Sequence, residues 1–417
     1  MTRRSLFRLG FTGAFGAGAG AGFAAQVHRS ESRWAGRVWP SQPPAGCPFE
    51  PSRSFQGIRF TGRAVSYTDA DTWYPSWASD DKLYSPWTDG KVGTVSCSSY
   101  ARDGHTAYTG YATITGDHPM DLTITAVGTY PGDPSPYGGR YPCGSLVYNG
   151  VWYYGTYCLM DSDGDPGKGL NWDILGPLVG YRWSTDFGKT WTDTPHTPLA
   201  PLFGEPEKPG GPVKMGSPHF VDFGQNMRHS PDGKAYLLGH GAEASDPQPR
   251  PANLSWITGD QVYMARVTPS VARMNQRSAY EFFAGRDRRG RAEWTRNLAS
   301  AHPLVEWNNN MGCVTATYNA PLRKYFLCVT DGVDTVSRFN TYILEADSLA
   351  GPWRLAVYMH NFGQQAYFVN LPSKFISADG RTMWLLYAAN FWQQLKAAPD
   401  PPGSRYGMCW QEIRLLA

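Results

Sequence analysis

Ser184-Thr185-Asp186-Phe187-Gly188-Lys189-Thr190-Trp191 has the pattern S-x-D-x-G-x-T-W, and its reading decides the fold. Asp186 can accept hydrogen bonds from backbone N–H groups of its own turn. Gly188 supplies a positive φ, and Trp191 opens the next segment by packing between sheets. The stretch predicts a tight turn on the outer rim of a sheet.

The surrounding chain repeats one order: a small or polar start, an apolar strand, a turn, then an aromatic-rich strand. Residues 71–78 turn at Asp80-Asp81 into 82–87, and 144–148 turn at Asn149-Gly150 into 152–158. Residues 219–223 turn around Ser230-Pro231-Asp232-Gly233 into 235–239. Residues 313–318 turn at 319–322 into 325–330, and 368–376 turn at 377–380 into 383–388. A third strand follows each pair, at 122–129, 178–183, 261–267, 341–346 and 406–416. Five units of about 70–80 residues predict an all-β, five-bladed propeller in a single domain. A β-sandwich would explain the hairpins but not five repeats of one order. The early strand 57–65 is expected to complete the last blade and close the ring. A helix is allowed only around 270–280.

Composition agrees. Aromatics make up 14% of the 417 residues, with 46 Gly and 33 Pro, a usage suited to short strands and tight turns. A net charge of +3 with scattered Lys and Arg gives no footprint for nucleic acid. Thr2-Arg3-Arg4-Ser5-Leu6-Phe7-Arg8, followed by a Gly/Ala-rich run, resembles a twin-arginine export signal over 1–25. The run is too short and too glycine-rich for a membrane span. A Pro-rich lead-in over 26–54 and a propeller over 55–417 follow, as a secreted or periplasmic monomer free of the membrane once the signal is cleaved. Of the seven cysteines, Cys313 and Cys328 would stand opposite each other across a four-residue loop, within reach of a disulfide. Cys143 and Cys158 miss opposition by one pair and read as buried thiols.

The 184–191 turn resembles the Asp box of sialidases. Together with Thr341-Tyr342-Ile343-Leu344-Glu345-Ala346 and Gly351-Pro352-Trp353, the blade pattern resembles the five-bladed propeller glycoside hydrolases of the arabinanase, arabinofuranosidase and xylosidase type. That resemblance implies a sugar bound over the central axis and carboxylates at the starts of innermost strands. Asp71 stands where the family's general base lies. Blade three departs from the pattern, since Gly216-Ser217-Pro218-His219 brings no Glu, and Glu205 and Glu207 lie only in the preceding loop.

The candidate catalytic residues are Asp71, His219 and Glu306: two carboxyls for acid–base chemistry and an imidazole that exchanges protons near neutrality. The candidate sugar contacts are Asp69, Trp73, Asn226, His240, Trp307, Asn309, Asn310, Gln365 and Tyr367, which offer amides for hydroxyls and aromatic faces for stacking. Asp161, Asp163 and Asp165 form a D-x-D-G-D loop with the alternating oxygen ligands that Ca²⁺ takes; no other cofactor is indicated. The first functional reading is a secreted glycoside hydrolase acting on a plant, algal or cell-wall polysaccharide. The alternatives are a lyase that cleaves a uronate-containing glycan with a His or Tyr base, and a carbohydrate-binding propeller without catalysis.

Overall fold

The computed structural model describes residues 28–29, 35–101, 104–160, 174–206, 209–241, 256–332, 338–363, 365–389 and 404–417. Its strands form five antiparallel sheets arranged as the blades of a propeller.

Blade one runs outward from Asp69–Asp71 and Ser76–Trp77 through Leu83–Val92 and Ala107–Thr115 to Thr123–Gly132. Blade two comprises Gly139–Tyr148, Val151–Met160 and Ile174–Ser184. Blade three comprises Gly216–Phe220, Ala235–Gly241, Gln261–Val267, Glu281–Arg286 and Ala292–Thr295. Blade four comprises Val314–Asn319, Lys324–Asp331, Asn340–Ala346 and Arg354–Met359. In blade five, Tyr367–Asn370, Thr382–Ala388 and Met408–Leu416 are completed by Gly57–Tyr67. This early strand pairs with the last one from Gly57↔Leu416 to Tyr67↔Met408, so the ring closes as the sequence predicted.

Large aromatic side chains fill the joints between blades. Trp87 and Trp152 are fully buried. Gly110 lies against Trp87 so closely that a methyl there would come within 2.2 Å of the indole, a contact only glycine allows. Trp191 packs on Tyr111, Trp152 and Tyr154 with centroids 5.1–5.8 Å away. The turn before it is tied as its residue types suggested. Asp186 accepts from the Thr190 N–H at 2.9 Å and from the Thr190 hydroxyl at 2.6 Å, while Ser184 Oγ accepts from Gly188 N–H. Gly188 has φ 90°.

Three local expectations are corrected. The loop of blade four is 320–323, because Asn319 pairs with Lys324; Thr315, not Cys313, therefore faces Cys328. All seven cysteines are free. Only a single 3-10 turn, Arg277–Ala279, stands where a helix was allowed.

One device shapes the axis. The innermost strands of blades two, three and five each gain one residue against their neighbours, between Pro142 and Ser145, Gly216 and His219, and Tyr367 and Asn370. Blade one does the same between Asp71 and Ser76, whereas blade four runs in unbroken register. Such bulges re-aim side chains. Thr72, Ser217 and Phe368 take left-handed backbone at φ 64°, 42° and 55°. For β-branched Thr72 this is a costly conformation.

Candidate active site at the propeller axis

The bulges define four equivalent positions just before the distortion: Asp71, Pro142, Gly216 and Tyr367. Asp71 alone is ionisable near neutral pH, and it is 4% exposed. Its Oδ2 lies 2.7 Å from the Tyr367 hydroxyl and 3.1 Å from that of Tyr406, and its Oδ1 accepts from Thr72 Oγ1 at 2.9 Å. Burial, reinforced by the neighbouring charge of Asp89, pushes the Asp71 carboxyl up to about 7, against the opposing hydroxyls of Tyr367 and Thr72.

Tyr406 joins Asp71 to the next strand of blade one. Its hydroxyl is 2.5 Å from the Asp89 carbonyl oxygen, an acceptor only, as well as 3.1 Å from Asp71. The Tyr406 hydroxyl is thus the donor to both oxygens, and like Tyr367 it favours the ionised form of Asp71 against the effect of burial. Asp89 is itself half-buried at φ 50° and accepts from Ser98 Oγ at 3.0 Å and Ser99 N–H at 2.8 Å.

Beneath this group an aromatic stack fills the axis. The ring of His219 lies on Tyr74 at 3.6 Å and 28°, and Tyr74, Phe368, Trp256 and Tyr367 follow with centroids 5.3–5.5 Å apart along the stack and 4.8 Å between the last pair's direct neighbours, Tyr367 and Phe368. His219 is 2% exposed, with Nε2 3.2 Å from Ser217 Oγ. Burial, and secondarily the nearby His240, holds its pKa well below the usual value, so the imidazole is neutral. Past the stack, Ser145, His219, Asp222, Thr315, Thr317 and Asn370 line a cleft on the opposite side of the bulges.

The remaining candidates separate. Glu306 is exposed and pairs with Gln261 at the edge of blade three; no contact joins it to Asp71 among the described residues. Trp73 is a core residue, 2% exposed, stacked on Trp87 with its Nε1–H bonded to the Ala70 carbonyl; it offers no sugar platform. Asn226 is bonded to Asn149 in both directions, at 2.8 and 3.0 Å, and locks the turn at the far end of blade two. Asp69 is exposed and ion-paired with Arg405 at 3.3 Å. His240 is fully buried and pairs with Gly216 across blade three, and Gln365 is buried with φ 58°.

Trp307, Asn309 and Asn310 gather near blade four. The Trp307 ring packs on Tyr342 at 4.9 Å, and Asn309 N–H donates to Asp260 Oδ1 at 2.7 Å. Asn310 lies 3.4 Å from the Tyr342 hydroxyl, which also reaches Asp331 at 3.3 Å. Burial raises Asp331 to about 6. Glu205, raised by burial to about 7, has Oε1 bonded to the N–H groups of Lys214 and Met215 and fastens the approach to blade three. Glu207 and the Asp161, Asp163, Asp165 loop lie outside the described residues.

Sequence reading missed Asp89, Tyr406 and Asp331. Asp89 had one visible signal, an Asp-Gly pair inside a strand, which marks a distortion. Tyr406 reaches the site only because the last blade adjoins the first.

No family model and no curated protein matches the chain. Among solved structures, the chain is similar to an α-L-arabinofuranosidase of Podospora anserina in complex with cellotriose, at 13% identity and TM-score 0.41, over 93% of this chain and 99% of that one. It is also similar to a GH43_1 enzyme of Xanthomonas citri complexed with xylose, at 13% identity and TM-score 0.44, over 85% and 88% of the two chains. A protein of unknown function from Dyadobacter fermentans is 11% identical with TM-score 0.43, over 86% and 99%. These are distant likenesses of fold; the five-bladed ring itself rests on the strand pairing described above.

Proposed function

We propose that this chain is an exported glycoside hydrolase whose proton donor is Asp71. The observation that supports it is a buried carboxyl at the axis, held by hydroxyls from blade five and kept protonated to about pH 7 by burial and by Asp89. Glycosidic cleavage needs an acid to protonate the leaving oxygen and a second, ionised carboxylate. Pairs of carboxyls whose environments push them apart divide those roles. Asp71 is assigned as the acid and Asp89 as the second carboxyl. This replaces the expected pairing of Asp71 as base with Glu306. The substrate is a neutral or acidic polysaccharide of plant, algal or cell-wall origin.

The test is to incubate purified protein with arabinan, xylan and uronate-containing gums, reading reducing ends and absorbance in the ultraviolet. Reducing ends should appear without an ultraviolet product, fall off as pH rises through about 7, and vanish in Asp71→Asn. Turnover that survives Asp71→Asn overturns the assignment. One observation favours the lyase alternative: an imidazole, His219, stands in the axial stack against Tyr74 and lines the adjoining cleft. An unsaturated, ultraviolet-absorbing product lost in His219→Gln would establish that reading instead. Binding of these glycans without turnover would make the chain a carbohydrate-binding propeller.

A further inference from the structure

Between blades one and two, outside the contacts of Asp71, two arginines share one small cleft. Arg182 is 4% exposed and Arg140 is 8% exposed. Both line a cavity of about 10 Å³ together with Thr109, Tyr130, Thr156 and Asp193. Arg182 is wrapped by aromatic faces, with Tyr154 and Tyr130 at 4.0 and 4.2 Å and Trp191 at 5.0 Å. One of its nitrogens donates to Thr109 Oγ1 at 2.9 Å, but its buried Nε–H has no partner. Arg140 donates from Nε to Thr156 Oγ1 at 2.9 Å, and its Nη1 lies 3.5 Å from the Asp133 carbonyl. Gly132 gives it room: a methyl there would stand 2.9 Å from Arg140 Cδ and 3.2 Å from its Nε.

Among the described residues neither arginine forms an ion pair. Asp193 is exposed at the rim, and its Oδ1 accepts from the Thr194 N–H at 2.8 Å. Two like charges removed from water repel each other and lose hydration, and aromatic faces compensate only part of that. A buried guanidinium N–H without an acceptor adds its own cost. The missing element is a negative charge, and the free space is that of a single atom about the size of a water.

We propose that this cleft is a halide site: one chloride-sized anion held by the guanidinium groups of Arg140 and Arg182, both on blade two where it faces blade one. The narrowness of the cleft favours a monatomic anion over a sulfate or a sugar carboxylate. The proposal stands independently of the catalytic reading.

Thermal unfolding at constant ionic strength, with chloride, bromide, sulfate or gluconate as the sodium salt, tests it. Chloride and bromide should raise Tm saturably by roughly 2 °C, while sulfate and gluconate should not. Arg182→Gln should abolish the halide-specific rise. Because that variant removes a buried side chain, Arg140→Gln serves as a second, milder probe with the same expectation. Bromide-soaked crystals of the unaltered protein should show an anomalous peak between the two guanidinium groups. An equal response to all four salts, a halide response that survives both variants, or an empty cleft in the bromide map would overturn the proposal.

Discussion

Asp71→Asn is expected to silence the protein and, above neutrality, to make it more stable. In the unfolded chain an aspartate ionises near pH 4, whereas in the folded protein Asp71 keeps its proton to about pH 7. Between those values the folded state binds more protons than the unfolded state. Stability therefore falls as pH rises through that window and levels off above it. The whole loss is on the order of 4 kcal/mol, at 1.36 kcal/mol per pH unit. Asparagine has nearly the same shape and no charge to bury, so the variant escapes this loss. Two of the pH units lie between 5 and 7, so the variant's advantage should widen by about 3 kcal/mol on going from pH 5 to pH 8. Urea unfolding of both proteins at the two pH values measures it, provided the slopes agree. An advantage that is equal at pH 5 and pH 8, or that shrinks, would refute a carboxyl buried in its protonated form.

Tyr406→Phe removes a hydroxyl that donates to Asp71, so the alkaline limb of the activity profile should move to higher pH. Movement to lower pH would show that Tyr406 accepts from Asp71 instead. Gly110→Ala places a methyl 2.2 Å from the Trp87 indole and should cost about 1–3 kcal/mol in urea unfolding; a neutral result would mean that blade one can shift. Trp152→Ala, which empties a fully buried aromatic site, should cost about 3–5 kcal/mol. Glu306→Gln should leave turnover within twofold of the unaltered protein, since the side chain is exposed at the edge of blade three.

The ring was legible because its signals are local. Asn149-Gly150 and the 377–380 turn mark hairpins through the backbone needs of their residues. The role of 57–67 followed from a strand left over at the start and a blade short of one at the end. The register of blade four was read wrongly because Asn319 caps the turn with its side chain, accepting from the Leu322 N–H at 3.2 Å and donating to the Gly380 carbonyl of blade five at 2.8 Å, while its backbone stays in the ladder. At the axis, Asp71 could be picked out by its place at a strand start. Its partners could not. Whether a bulge turns Tyr367 toward Asp71, or Trp73 into the core, depends on one extra residue in a strand, and no pattern of alternation announces it. Asp89 lies 18 positions away and comes beside Asp71 through strand pairing within blade one; Tyr406 lies 335 positions away and becomes a neighbour only through closure. Asn226 and Glu205 were misjudged for a related reason: amides and carboxylates that fasten turns look, in sequence, like those that meet a ligand.

Pairing of Gly57–Tyr67 with Met408–Leu416 also sets a timetable for the molecule's birth. The strand over 57–67 waits for the one over 408–416, so the circle cannot be sealed until that distant segment has been made. Until then a long hydrogen-bonding edge stays open, and the most distant contacts in the chain form late. The same seam puts Tyr406, two residues before the strand over 408–416, beside Asp71 of blade one, so a nascent chain not yet extended through 406–416 has neither a closed ring of blades nor this hydroxyl beside its carboxyl.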